Sequence, residues 1–327
     1  VQVTDGALTN AATTKNAAIS VVESELTGMM DGIKKYQNGT FSRDGTGVVA
    51  TVGTTASGAT ITVSDARMLW DGKDYEIRDV VTPATIHVPS FVVSRVARAP
   101  TAANEATVTP TAAIGALGQV TGDYIVWGTG GSSSYGRAIT GLDALIDDAA
   151  TTFQGVDCSV YTRYTSPVLG NLGTPRALTP SLFRQMLATI KQEAGEDPPD
   201  GMTVMGPVFE AINLEELYEG DLRITPDTTT AGIAVSSFQS VLGRINIVTD
   251  PDAPYGKLFF LDPSQLVYAV QAELDWRRDA PGASIFKRSD TFAGYTATAI
   301  ETCELAIMER NRCGKIEDLT EARTTAY

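Results

Sequence analysis

Histidine is nearly missing from this chain of 327 residues; His87 is the single copy. Every metal site built on two imidazoles, HExxH and the His-rich zinc sites included, is thereby excluded. Cysteine is scarce as well. Cys158, Cys303 and Cys313 make no CxxC pair, and three thiols leave one over in any pairing. A disulfide scaffold is out, and a reducing compartment is the simpler setting. Positive charge is also short: 25 Lys and Arg stand against 39 Asp and Glu, for a formal net charge of −14. So acidic a chain does not hold a phosphate backbone by bulk attraction. No apolar run approaches the ~20 residues of a membrane span, and no charged-then-apolar signal segment opens the chain.

What is present is a globular composition, 43% apolar and 20% charged, well outside the disordered range. The length suits about two domains of ~150 residues, or one large domain carrying an insertion. From Thr13 to about Lys35, Ile19, Val22, Leu26, Met29, Ile33 and Tyr36 recur at alternating steps of three and four. That spacing predicts one apolar face of a long helix, which Asn38-Gly39 is expected to stop. A glycine turn, Asp44-Gly-Thr-Gly47, follows.

From there the character turns to short β segments rich in Thr, Val, Ala and Gly. Ala59–Val63, Tyr75–Val80, Thr85–Val88, Phe91–Ala97 and Asp123–Trp127 are the candidate strands. Residues 48–135 read as an inserted β subdomain, with Gly128–Gly136 as its flexible exit. Beyond it, Gly141–Ala150 reads as a short helix. A clear helix begins at Thr179 as N-cap, with Pro180 at the first helical position. Met202–Met205 reads as a buried strand, Val208–Leu217 as a helix, and Phe238–Val248 and Lys257–Leu261 as strands around a proline-marked turn. Tyr295–Met308 alternates as a strand would, yet Ile300, Cys303, Ile307 and Met308 also fit a helical template.

The search for chemistry is unrewarding. His87 sits in a strand and has no triad partner in sequence. Ser284-Ile-Phe-Lys287 matches SxxK without the SDN or KTG that accompanies it. Gly128-Thr-Gly130-Gly131 lacks the spacing of a dinucleotide loop, and Asp44–Gly47 follows a helix where a phosphate loop precedes one. Asp250 and Asp252 lack the calcium ladder. Cys303 and Cys313 are spaced to share one strand face and read as buried thiols. Arg277-Arg278 and Arg310/Arg312 read as surface ion pairs. The expectation is therefore a non-enzyme: no catalytic, cofactor-binding or metal residue, and no cofactor.

The order of elements carries more. The long helix ends in Gly39-Thr-Phe-Ser-Arg-Asp-Gly-Thr-Gly-Val-Val-Ala-Thr51. This resembles the spine helix and following GDGTG turn of tailed-bacteriophage major capsid proteins with the Hong Kong 97-type fold, Arg43 standing where that family often has its first glycine. The Leu178–Ala194 helix, Met202–Ile212, Phe238–Asp250 with Lys257–Asp262, and Tyr295–Ile316 are similar, in that order, to the family's later elements. The resemblance covers roughly 1–47 and 138–327. It implies an α+β Hong Kong 97-type capsid fold: 1–47 as peripheral domain with spine helix, 48–135 as the inserted β subdomain, 136–290 as the axial domain, and 291–327 as the peripheral domain's closing strand and C-terminus.

It also implies a function of geometry: self-association into hexamers and pentamers that tile an icosahedral shell around double-stranded DNA, without sequence-specific binding. Implied partners are a decoration protein, a portal, and a scaffold or maturation protease; no membrane is implied. The implied place is the virion, assembled in the host cytoplasm. The family's N-terminal arm and E-loop precede the spine helix, whereas this sequence opens at Val1, close to that helix. A start without Met is compatible with maturation cleavage. Two alternatives stay open: an encapsulin-like compartment shell, and a β-rich surface binding module working through 48–135.

Overall fold

The computed structural model describes residues 2–4, 17–53, 57–101, 105–129, 133–195, 202–219, 237–240, 243–278, 284–288 and 294–320. In chain order these begin with β1 (Gln2–Thr4), α1 (Ala17–Phe41), β2 (Val48–Thr51), β3 (Ile61–Val63), β4 (Asp74–Arg78), β5 (Ile86–Thr101), β6 (Glu105–Pro110) and β7 (Tyr124–Trp127). There follow α2 (Leu142–Leu145), β8 (Thr152–Phe153), β9 (Val156–Asp157), β10 (Val168–Leu169), α3 (Pro180–Ala194), β11 (Met202–Gly206) and α4 (Val208–Glu219). The last are β12 (Ser237–Ser240), β13 (Gly243–Thr249), β14 (Leu258–Leu261), β15 (Leu266–Trp276), β16 (Lys287–Arg288), β17 (Gly294–Thr296), β18 (Ala299–Ile307) and β19 (Gly314–Ile316). The class is the α+β expected. The chain divides into two compact units, Val1–Asn38 with Tyr268–Leu305 and Gly39–Val267 with Ala306–Tyr327.

In the first unit the helical period holds. Leu26, Met29, Ile33 and Tyr36 are partly covered, while Thr27, Asp31, Lys34 and Lys35 are exposed; the side chains of Ile19 and Val22 lie outside the described residues. Gln37 Nε2 donates to Glu301, tying α1 to β18. β1, β17 and β16 form a three-stranded antiparallel sheet, in which Val3 opposes Tyr295 and Lys287 opposes Thr296. β15 and β18 pair as a two-stranded ribbon. The ambiguity at Tyr295–Met308 is thus decided for strand. The deciding term is the neighbouring strand, which no local period can supply.

The second unit holds two larger sheets. One is antiparallel, in the order β2-β7-β4-β5-β6-β3. Gly53 N donates to Thr62 O at 2.7 Å and Ser64 N to Thr51 O at 3.0 Å, so β3 returns to β2 and closes the sheet on itself. Ile61, Val63, Tyr75, Ile77, Val93, Val108 and Ile125 are fully buried in it. Closure leaves no open edge, which suits short Thr-rich strands. The expected strands Thr85–Val88 and Phe91–Ala97 are one, β5; its ladder runs from Val88–Ile77 to Phe91–Tyr75 and skips Pro89-Ser90 in a bulge, where proline needs no ladder amide. β6 lies where the sequence pattern marks no strand.

The other sheet is mixed, in the order β10-β19-β14-β11-β13-β12. Across it lies α3, started by the Thr179 hydroxyl accepting from Leu182 N at 3.2 Å and ended by Gly195 at φ 74°. Phe183, Met186, Leu187 and Ile190 pack with Met202, Val204, Phe260 and Ile316 in one buried core cluster. The expected strand Phe238–Val248 is a hairpin of β12 and β13, and the expected helix Gly141–Ala150 shrinks to the single turn of α2.

Asn38-Gly39 is not the helix stop expected, for α1 runs on to Phe41. Gly39 is buried, and a Cβ there would strike the Met68 side chain. Its small size serves close packing rather than a turn. The turn comes at Asp44–Gly47, where Gly45 and Gly47 both take φ 81° and Thr46 N donates to Asp44 Oδ1 at 3.0 Å. The Gly128–Gly136 exit is also not a free linker at its described end. Ser134 N donates to Trp127 O at 2.7 Å, Ser134 Oγ donates to Gly47 O at 2.9 Å, and Arg78 reaches Ser133 Oγ at 3.1 Å.

Candidate functional site

The residues weighed for chemistry go to structural duties. His87 Nδ1 lies 2.8 Å from Asp123 Oδ2, and that buried carboxylate also accepts from Val120 N and Val80 N. Asp123 is consumed as a loop anchor. Asp250 Oδ1 accepts from Asp252 N at 2.9 Å, a turn. Cys303 lies in β18 and Cys313 beyond the 3₁₀ turn Arg310–Arg312, so they do not share one strand. Cys313 is buried, and desolvation pushes its thiol up to about 12; Cys303 is only half-covered, and its thiol too is raised, chiefly by desolvation. Among the described residues no group of His, Cys, Asp and Glu gathers to hold a metal, and no helix is long and apolar enough to cross a membrane.

Arg310 is not the surface residue expected. It is 2% exposed; its guanidinium donates to Leu145 O at 2.7 Å and Asp147 O at 2.9 Å and stacks 4.2 Å from the Phe153 ring. Arg312 pairs with buried Asp262 at 3.0 Å. Period and composition carry no trace of these contacts, since each partner lies more than fifty residues away or on a loop.

Two ion-paired joints hold the second unit together. In one, Arg43 and Arg67 converge on Asp65 at 3.0 and 2.8 Å; Arg67 continues to Pro251 O and Ala253 O and lies 3.5 Å over the Tyr255 ring. Burial opposes ionisation of Asp65, but the two guanidinium groups outweigh it and hold the carboxyl below its usual range. Arg43 thus joins the glycine turn to the segment that follows β3. In the other, Asp143 receives Lys257 at 2.6 Å and Lys315 at 3.1 Å, with Asp147 and Glu317 3.7 and 3.6 Å from Lys315.

Among the described residues, apolar side chains are exposed at several places. In the β15–β18 ribbon β15 is exposed along most of its length on both faces, whereas β18 keeps the row Ala299, Glu301, Cys303, Leu305 and Ile307 partly or fully covered; Tyr268, Val270 and Ile300 are exposed along it. The start of α4 shows Val208, Phe209 and Ile212. On the loop after β10, Leu172 is wholly exposed (103%) at φ 55°. A left-handed leucine costs ~1–2 kcal/mol, and here one carboxylate enforces it: Asp318 Oδ2 accepts from both Asn171 N (2.7 Å) and Gly173 N (2.9 Å). These donors hold the Asp318 carboxyl below its usual value. The result is a rigid finger with an apolar tip.

This α+β chain thus combines a long half-covered helix, a partly exposed two-stranded ribbon and a braced apolar finger. The family model described as SU10 major capsid protein matches residues 92–285, more than half of the chain. The chain belongs to that family. No curated protein matches it. Among solved structures it is similar to a chain of the cyanophage A-1(L) capsid asymmetric unit, at 19% identity and a TM-score of 0.43, over 58% of this chain and 63% of that one. It is similar to Mycobacterium phage Che8 at 14% and 0.34, over 50% and 57%. To the holo-SrpI encapsulin complex of Synechococcus elongatus the values are 11% and 0.31, over 49% and 55%. The chain thus spans less than two thirds of the length of each of these chains.

Proposed function

We propose that this chain is a shell subunit, copies of which assemble into hexamers and pentamers around double-stranded DNA. Family membership supports the class. The observation that carries the reading is the β15–β18 ribbon: β15 is exposed on both faces and β18 on one, a two-stranded ribbon is marginal alone, and neighbouring copies would cover the exposed faces. On this reading α1 is the spine helix, 1–47 and 291–327 make the peripheral domain, 136–290 the axial domain, and 48–135 an inserted β subdomain. The protein would reside in the virion after assembly in the host cytoplasm. A portal, a decoration protein and a scaffold or maturation protease are the partners such a shell uses. Its task is structural, and nothing in the reading calls for catalysis.

Size-exclusion chromatography with light scattering, followed by negative-stain electron microscopy, tests it. Capsomers or megadalton particles are expected; a monomer at every concentration sinks the reading. A uniform small particle filled with protein cargo would favour the encapsulin alternative instead.

A further inference from the structure

The finger of the second unit is a closed turn. Thr174 N donates to Asn171 O at 3.0 Å, and between them Leu172 and Gly173 take φ 55° and 75°. Two positive angles in a row are what a type I′ turn needs, and glycine, asparagine or aspartate ordinarily supply them. Here the first is a leucine whose side chain stands wholly in solvent. Both legs of the turn are tied to the strand opposite. β10 pairs with β19; Arg176 N donates to Asp318 O at 2.7 Å, and Thr320 N donates to Arg176 O at 2.8 Å. Asp318, whose carboxylate holds the turn from within, itself takes φ 60°. Two left-handed residues thus serve to present one apolar tip. Strain so firmly enforced, with no return inside the chain, points to a use outside it.

A receiving face lies on the same unit. In α4, Ala211 and Leu214 are buried, whereas Val208 and Ile212, one turn apart, share a separate exposed face. A helix that is apolar beyond its core side is one that a further surface covers. α4 packs on β13, while the finger follows β10, the strand at the other edge of the mixed sheet. Four ladder steps separate β10 from β13, about 19 Å at the usual strand spacing. The tip and the apolar face therefore stand at opposite sides of one sheet, and they can meet only between copies. A knob and a face set apart in this way make a head-to-tail contact, the kind that closes rings. We propose that the Leu172 finger of one copy seats on the Val208/Ile212 face of α4 in the next. Repulsion between copies at −14 opposes the meeting, so apolar burial and not charge drives it. The proposal rests on the shell reading and assigns the residues of one of its contacts.

Light scattering of the full chain across protein concentration tests it. Leu172→Asn keeps the left-handed turn and removes the apolar tip; it should need roughly tenfold more protein to assemble, or more, with its circular dichroism unchanged. Leu172→Met, which keeps an apolar tip, should assemble as the wild type does. If Leu172→Asn does not fold, Leu172→Gly takes its place with the same expectation. Val208→Ser/Ile212→Ser should weaken assembly as Leu172→Asn does. Joining all three changes should cost no more than the worse of the two, because one contact is lost only once. Losses that add would seat the finger elsewhere and overturn the assignment to α4. So would a fall of several degrees in the melting temperature of dissociated Val208→Ser/Ile212→Ser, which would show that the chain covers this face itself. Leu172→Asn assembling as the wild type does would overturn the proposal and leave the shell reading standing. A wild type that never assembles overturns both.

Discussion

Leu172 carries a conformational cost that its own side chain cannot recover, because nothing in the chain covers it. Leu172→Asn, a residue at ease at positive φ, should hold or raise the melting temperature by a few degrees; a large fall in a thermal melt would show that the leucine stabilises the monomer. Arg310 is the opposite case. Its guanidinium bonds two carbonyls, so Arg310→Ala leaves Leu145 O without its donor, leaves Asp147 O with Ser166 N alone, and opens a hole beside Phe153. Urea unfolding should register a loss of about 3 kcal/mol or more; a loss below 1 kcal/mol would mean that water replaces the guanidinium. A run of letters shows Arg310 and Arg312 as equals, and only their surroundings separate them.

At the scale of elements, α3 packs its apolar face on the mixed sheet of the second unit. Phe183 is fully buried and lies 5.1 Å from Phe260, ring to ring. Phe183→Ala should cost about 3–5 kcal/mol in denaturant unfolding. The joint that binds α2 to β19 sets a pH window. Burial opposes ionisation of both Asp143 and Lys315, but Lys257 and then Lys315 outweigh it at Asp143, lowering it from 3.8, and Asp143 with Glu317 and Asp147 outweighs it at Lys315, raising it from 10.5. The Asp143 contribution is present above 3.8 and is lost as pH falls through its lowered folded value. The Lys315 contribution is present below 10.5 and is lost as pH rises through its raised one. Stability measured against pH should therefore hold between these limits as far as this pair is concerned, and Asp143→Asn should blunt the acid limb. An acid limb unchanged in the variant would remove the joint from the account.

For the molecule as a whole, the closed sheet has its own core and adjacent ends. Gly136 N donates to Thr46 O at 2.8 Å, so the two ends of residues 48–135 meet, and no member of the core cluster around α3 comes from that segment. Replacing 48–135 by a short Gly-Ser bridge should leave a soluble α/β core with α3 helicity. Complete insolubility would show instead that the Asp65 joint to the Pro251–Tyr255 loop is indispensable. The shell reading gives the net charge of −14 a further role: an acidic inner wall lets DNA slide during packaging. Acids gathered on the outer face of an assembled particle would refute that.

The sequence by itself determined the elements whose cause is local. The α1 face is written in steps of three and four, the start of α3 in Thr179-Pro180, and the turn at Asp44–Gly47 in its glycines. Composition alone excluded two-histidine metal sites and disulfide frameworks. Tertiary structure decided whatever depends on a distant neighbour. It made β18 a strand through β15, turned Gly39 from a stop into a packing contact under Met68, buried Arg310 among loop carbonyls, and drew Arg43 and Arg67 onto Asp65. The reason is physical. Period and capping are energies within a few residues, whereas ladder pairing, burial and ion pairing arise between segments that only the folded chain brings together.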